Sequence, residues 1–190
     1  MPDRFACAGA PSASPEATGR DAPEPVALAA RIRQAAEQVR DPEMPAVCIG
    51  DLGMVRSVRC DPDGQAEVVL RPTFVGCPAL GAIEQEVRRQ VGRLAGVQAV
   101  RVRWTLEPVW TVADVTEAGW RSLRASGIAR PLPGGPACPY CGSRQSVLDN
   151  LFGPAACRSL HYCTACRNPF ESIKAIGGLP TQAPRGEGDP

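Results

Sequence analysis

After Pro25 the apolar residues fall into a helical rhythm, with Leu28, Ile32, Ala35, Ala36 and Val39 on one face. Asp41-Pro42 predicts its end, because the residue before a proline avoids helical angles. Glu43 to Gly53, holding Pro45 and two glycines, is expected to be a loop. Met54 to Cys60 and Gln65 to Arg71 read as strands. Asp61-Pro-Asp-Gly64 between them is a strong turn signal, so the pair predicts a hairpin. Pro72 to Gly76 reads as a loop. Ala79 to Leu94 reads as a helix with Leu80, Ile83, Val87, Val91 and Leu94 on one side. Val97 to Thr105 alternates, with Val100, Val102 and Trp104 inward and Arg101 and Arg103 outward, which is a third strand.

The order helix, strand, strand, helix, strand predicts a small two-layer α+β domain over 25–107, near the lower size limit for a self-sufficient core. A short helix is expected next, with Asp114 as N-cap, Glu117 three residues on and Gly127 just past its end. Residues 108–136 are read as this helix plus a Pro/Gly linker. Residues 1–24 and 177–190 are rich in Pro, Gly and other small or polar residues without periodicity and are expected to be a disordered arm and tail. Cys7 lies in that arm.

Composition changes this picture little. The chain has 190 residues, a net charge of +1 and 44% hydrophobic residues, so no global field draws it to nucleic acid or to a membrane surface. No signal-peptide pattern and no apolar run long enough to span a membrane is visible. The compartment is therefore read as the cytoplasm, where thiols stay reduced.

The cysteines carry more. Nine occur, and four form two knuckles, Cys138-Pro-Tyr-Cys141 and Cys163-Thr-Ala-Cys166. The knuckles are separated by twenty-one residues. Paired CxxC knuckles at this spacing place four thiolates around one metal ion, most simply structural zinc, although an iron–sulfur cluster uses the same ligand type. The module over 137–176 has few apolar residues of its own (Val147, Leu148, Leu151, Phe152, Phe170, Ile173), so metal binding would supply folding energy. Cys157 and His161 lie between the knuckles and are alternate ligands. Four thiolates leave no open coordination position, which argues against a hydrolytic centre.

A second constellation is Pro72-Thr-Phe-Val-Gly-Cys77-Pro78. With Pro78 at the first helical position, Cys77 would be the N-cap, where free N–H groups and the helix dipole favour a thiolate. Gly76 would give access to the sulfur. A plain packing cysteine is the equal rival. Asp41, Glu43 and Asp51 read as capping and turn residues. Cys48 and Cys60 lack ligand spacing and read as packing residues.

The segments "DPEMPAVCIGDLGMV" and "LRPTFVGCPAL" resemble the signatures of the SufT-like domain of iron–sulfur assembly factors. "EPVWTVADVTEAGWRSLRASGIARP" and "CPYCGS…LFGPAACRSLHYCTACRNPFESIK" are similar to the PaaD (PaaJ) family of accessory subunits of the bacterial phenylacetyl-CoA epoxidase system. The likeness covers about Pro25 to Ile176. It implies a SufT-like fold followed by a zinc-ribbon-like module. It also implies an accessory, non-enzymatic role in aerobic phenylacetate degradation, assisting iron–sulfur or iron-centre maturation. Cys77 would match the family's reactive thiol, supported by Asp51, Thr73, Gly76 and Pro78. Partners would be the other epoxidase subunits, including the iron–sulfur reductase component, with a homodimer as a further expectation. The chain has neither the Glu-x-x-His pair of a di-iron site nor a Gly-x-Gly-x-x-Gly for a dinucleotide. Two alternatives stand beside this reading. One is a structural subunit without cluster chemistry. The other is a nucleic-acid-binding ribbon using Arg144, Arg158, Arg167 and Lys174, which the near-zero net charge disfavours.

Overall fold

The structure, a computed structural model, describes residues 25–175. Helix α1 (Pro25–Glu37) turns Leu28, Ile32 and Ala36 into the core. The expected loop after it instead contains two short strands, β1 (Arg40–Asp41) and β2 (Met44–Cys48), paired antiparallel. Asp41 makes the reversal: its Oδ1 accepts the N–H groups of Glu43 at 2.7 Å and Met44 at 3.0 Å. A short carboxylate that bonds its own backbone a few residues on is a turn-former, and here it folds the Pro42 corner into a ribbon. Met44, Val47 and Cys48 are buried. Cys48 is buried as expected, but its sulfur is disulfide-bonded and not a free thiol.

Strands β3 (Val55–Cys60) and β4 (Gln65–Leu70) form the expected hairpin, with Gly64 at φ +77° in its turn. Helix α2 (Leu80–Val91) carries the chain over to β5 (Ala99–Trp104), which pairs parallel with β4. The sheet order is β3-β4-β5. Ala66, Val68 and Leu70 of the central strand meet Ile83, Val87 and Val91 of α2 and the apolar face of α1 in one core. The helix, strand, strand, helix, strand order therefore stands, with the small ribbon inserted after α1.

A 3₁₀ turn (Val112–Asp114) and helix α3 (Glu117–Ala125) follow. The N-cap of α3 is Thr116, not Asp114: its Oγ1 accepts the Gly119 N–H at 2.9 Å. Asp114 is engaged one turn earlier, in a capping box with Thr111. The sequence offers two Ser/Thr/Asp-initiated patterns in succession, and the tertiary partners of Asp114 decide which one opens the helix. Gly127, at φ +78°, follows the C-cap Ser126 as expected.

The remaining strands are β6 (Ile128–Ala129), β7 (Ser146–Asn150), β8 (Arg158–Cys163) and β9 (Pro169–Ile173). They form a second sheet in the order β6-β9-β8-β7, with β6 parallel to β9 and the other neighbours antiparallel. This sheet is not packed as a separate body. Ile128, Ala155, Cys157 and Ile173 join the same buried cluster as α1, α2, α3 and the first sheet. Only Ala129, Cys138, Cys163 and Phe170 form a small cluster of their own. Val147, Leu148, Leu151 and Phe152, expected inside the module, are exposed instead. The module is filled from the neighbouring domain, which leaves these side chains on the outer face of β7 and the turn after it.

Candidate metal centre and thiol site

Each knuckle is built by the same two backbone bonds. In the first, the Gly142 N–H donates to the Cys138 carbonyl at 2.9 Å and the Cys138 N–H donates to the Ser143 carbonyl at 2.9 Å. In the second, the Arg167 N–H donates to the Cys163 carbonyl at 2.8 Å and the Cys163 N–H to the Asn168 carbonyl at 3.0 Å. The position after the second cysteine is left-handed in both, at φ +76° for Gly142 and φ 61° for Arg167. Arg167 is the one non-glycine with positive φ among the described residues. A left-handed residue costs a side-chain-bearing position about 1–2 kcal/mol; the knuckle imposes it because the turn must aim both sulfurs the same way.

The four sulfurs of Cys138, Cys141, Cys163 and Cys166 lie within 4.8 Å of one another. The Sγ atoms of Cys138 and Cys166 are 3.6 Å apart, as are those of Cys141 and Cys163. A tetrahedron with metal–sulfur bonds of about 2.3 Å has edges of about 3.8 Å. The donor set thus fits one ion held by four thiolates. Thiolates around a polynuclear cluster stand further apart, because the cluster lies between them. Asn168 donates to the Cys166 sulfur at 3.5 Å and holds that thiol down at about 6, ready to bind as thiolate. Cys157 and His161 are not part of the group. His161 is buried in β8, stacked on Phe170 at 5.5 Å and paired with Ser159 Oγ at 3.0 Å; burial lowers its pKa.

Cys77 stands further from α2 than expected. The helix starts at Leu80 with Ala79 as N-cap, so Cys77 and Pro78 belong to the turn before it. The Cys77 N–H donates to the Phe74 carbonyl at 3.2 Å, and its own carbonyl accepts the Leu80 N–H at 3.4 Å. The expected lowering of its pKa is reversed. Burial raises it, and Asp41 and Glu43 raise it further, against one N–H bond from Ala79. Gly76 is needed for a different reason than unusual angles: a Cβ there would stand 3.1 Å from the Phe74 ring. Thr73 is buried, and a cavity of about 110 Å³ lies beside it, lined by Arg71, Pro72, Phe74 and Trp110 among others.

Asp51 is placed elsewhere. Its Oδ1 accepts the Thr116 hydroxyl at 2.8 Å and its carbonyl accepts the Thr116 N–H at 2.9 Å. It therefore anchors α3 and is not a neighbour acting on Cys77. Trp110 Nε1 donates to the Leu52 carbonyl at 2.7 Å, so the Asp51-Leu52-Gly53 turn is held by the segment after β5. Sequence reasoning missed Arg71 altogether and placed Cys157 only as an alternate ligand of the knuckle ion. Arg71, buried at the end of β4, reaches the carbonyls of Gly53 and Pro108 and the carboxylate of Asp114. Cys157 lies on the turn before β8, next to the first domain: Arg158 donates to the Glu43 carbonyl at 3.2 Å, and Cys157 is raised to about 11 by burial, then by Asp41 and Cys77. No spacing rule links residues 77 and 157, and only the packing of the two sheets brings them near each other.

Residues 131–174 match the PaaD zinc beta ribbon domain family, and residues 29–104 match the family described as iron–sulfur cluster assembly protein. A crystal structure of a domain of unknown function (DUF59) from Bacillus anthracis superposes with TM-score 0.50 and 26% identity, covering 54% of this chain and 97% of that one. The fold and site thus define an assembly-type α+β domain joined to a four-cysteine ribbon. The PaaD protein of Escherichia coli (strain K12), which bears the name "Putative 1,2-phenylacetyl-CoA epoxidase" as one of its subunits, is 36% identical over 151 residues, which are 73% of this chain and 88% of that protein. The chain belongs to that family, PaaD. An Fe-S protein maturation auxiliary factor of Porphyromonas gingivalis (strain ATCC BAA-308 / W83) is 39% identical over 85 residues, 45% of this chain and 80% of that protein. Among the described residues no helix is long and apolar enough to cross a membrane.

Proposed function

We propose that this protein is a non-catalytic accessory subunit of a phenylacetyl-CoA epoxidase system that matures an iron or iron–sulfur centre in its partner subunits. The observation that carries this reading is the joining of an iron–sulfur assembly domain and a four-thiolate ribbon through one continuous core. An assembly domain alone would serve many clients; a ribbon packed rigidly on it suits presentation to one complex. In this reading the ribbon ion is structural zinc, held by Cys138, Cys141, Cys163 and Cys166. With all four positions filled by thiolates, it has no place for a substrate. It would supply folding energy and nothing to the chemistry.

Cys77 would carry the cargo, with Thr73, Gly76 and Pro78 shaping its loop. Partner contact would fall on the apolar rim beside it, where Val75 is 67% and Phe152 78% exposed and Lys174 Nζ lies 4.9 Å from the Phe152 ring and 5.9 Å from the Phe74 ring. The iron–sulfur reductase component is the partner this cargo suits. The test is a Cys77→Ser strain. Slow growth on phenylacetate and under-loaded partner clusters are expected, and wild-type growth with full clusters would overturn the reading.

The raised pKa of Cys77 favours a second reading, a structural subunit without cluster chemistry. There Cys77→Ser would be silent while loss of the whole chain would disperse the complex. The nucleic-acid reading gains no support: Arg158 is tied to Glu171 at 2.7 Å, Lys174 to the Ala156 carbonyl at 2.9 Å and Arg144 to the Pro133 carbonyl at 2.6 Å.

A further inference from the structure

We propose that Cys157 is the second thiol of the Cys77 site, and that the two sulfurs, one from each domain, together take up a ferrous ion. This rests on the maturation reading above, which supplies iron as cargo. Cys157 is buried in the main core cluster, and Cys77 packs against that cluster from the loop before α2. The seam between them is fixed from both sides. Arg158, next in sequence to Cys157, donates to the Glu43 carbonyl at 3.2 Å. The Cys157 carbonyl accepts the Lys174 N–H at 2.8 Å, and the Lys174 ammonium lies over Phe74, three residues before Cys77. The position of Cys157 is therefore set by the first domain and not by the ribbon's own metal.

The surroundings are those of a cation site. Asp41, 3% exposed, contributes charge to both thiols, and Glu43 to Cys77. Against them stands Arg158, whose guanidinium is already paired with Glu171 at 2.7 Å. The Lys174 ammonium is taken up by the Ala156 carbonyl and two aromatic faces. Burial and mutual repulsion keep Cys77, Cys157 and Asp41 protonated beyond their usual ranges, as groups awaiting a counter-ion are. A divalent cation relieves that repulsion. Two S–H bonds break, two Fe–S bonds form, two protons leave to solvent, and no electron is transferred. Two protein thiolates leave iron's other positions to water or to the recipient's ligands, which suits an ion held for transfer and not for storage.

The test uses the full-length, zinc-loaded protein under anaerobic conditions, titrated with Fe²⁺ and, as a spectroscopic probe, Co²⁺. Wild type is expected to bind one ion beyond the zinc, with thiolate-to-metal charge-transfer absorption and release of about two protons per ion near neutral pH. Cys157→Ser is expected to weaken binding at least tenfold and to halve the proton release, as Cys77→Ser does, and the double variant to be little worse than either. Because Cys157 is buried, Cys157→Ala is run beside it, with zinc content and circular dichroism confirming the fold. In wild type, dibromobimane should bridge the Cys77 and Cys157 peptides, as read by mass spectrometry. Unchanged binding and proton count in a folded Cys157 variant, or absence of the bridge, overturns the inference while leaving the Cys77 role standing. Absence of any second ion in wild type overturns both.

Discussion

The Arg71 guanidinium and the Asp114 carboxylate meet at 2.6 Å, with the Arg71 side chain 8% exposed. The pair joins the end of β4, where the chain enters the Cys77 loop, to the turn that precedes α3. Arg71 also binds the carbonyls of Gly53 and Pro108, each at 3.3 Å. Four segments remote in sequence converge on one side chain. Burial alone would raise Asp114, but the Thr111 N–H and Arg71 outweigh it and hold it below the usual carboxylate range.

Removing Arg71 leaves a carboxylate and two carbonyls without their donor. Breaking one side of a buried pair typically costs about 3–5 kcal/mol, so Arg71→Met is expected to destabilise by several kcal/mol in urea unfolding. Asp114→Asn keeps the Thr111 bonds and should cost less. Because the folded pKa of Asp114 is depressed, its contribution is present above the unfolded value near 3.9 and is lost as pH falls through the folded one.

Asp41 has the opposite sign. Burial raises its folded pKa above that of the unfolded chain, so stability falls as pH rises from about 3.9 through the folded value. Asp41→Asn keeps an oxygen for the Glu43 and Met44 N–H groups and carries no charge. The variant should be no less stable than wild type at pH 7, and its stability should rise relative to wild type between pH 4 and 7. Thermal melts across that range measure it; a loss at pH 7 would show that the ionised form is needed.

Metal removal should unfold more than the ribbon. Apparent binding energies of structural zinc in small modules are about 10–16 kcal/mol, and Ile173 and Cys157 belong to the main core. A strong chelator is therefore expected to lower the melting temperature of the whole chain as one transition. Two separate calorimetric transitions would contradict the shared core. Native mass spectrometry should find one ion lost with Cys163→Ser.

Two backbone positions should respond in opposite directions. A Cβ on Gly53, at φ +68°, would stand 2.3 Å from the Asp114 carbonyl oxygen, so Gly53→Ala must displace the turn and should cost more than the usual 1–3 kcal/mol of local strain. Arg167, at φ 61°, occupies the position that Gly142 fills in the other knuckle. Arg167→Gly relieves about 1–2 kcal/mol of left-handed strain against roughly 0.5–1 kcal/mol of added chain entropy. It should be neutral to slightly stabilising by denaturant titration, with metal content unchanged.

Much of this was legible along the chain because the signals are local. The hairpin followed from Asp61 to Gly64, α2 from the spacing of Ile83, Val87 and Val91, and the metal centre from two CxxC knuckles whose geometry each knuckle sets within six residues. Local signals failed where two were available at once. Thr111, Asp114 and Thr116 all offer caps, and Arg71 settles the choice by taking Asp114. They failed again at Cys77, where the run into a helix suggested an activated thiol. The charges that reach it come from Asp41 and Glu43, more than thirty residues away.

The sequence by itself determined the order of elements, the four sulfur ligands and the family, because each depends on residues near one another or on motifs that keep their spacing. Only the tertiary structure decided that the ribbon has no core of its own, that Asp51 serves α3, and that Cys157 belongs with Cys77 and not with the four knuckle cysteines. Burial and charge repulsion act through space, and the packing of the second sheet against the first is what sets those distances.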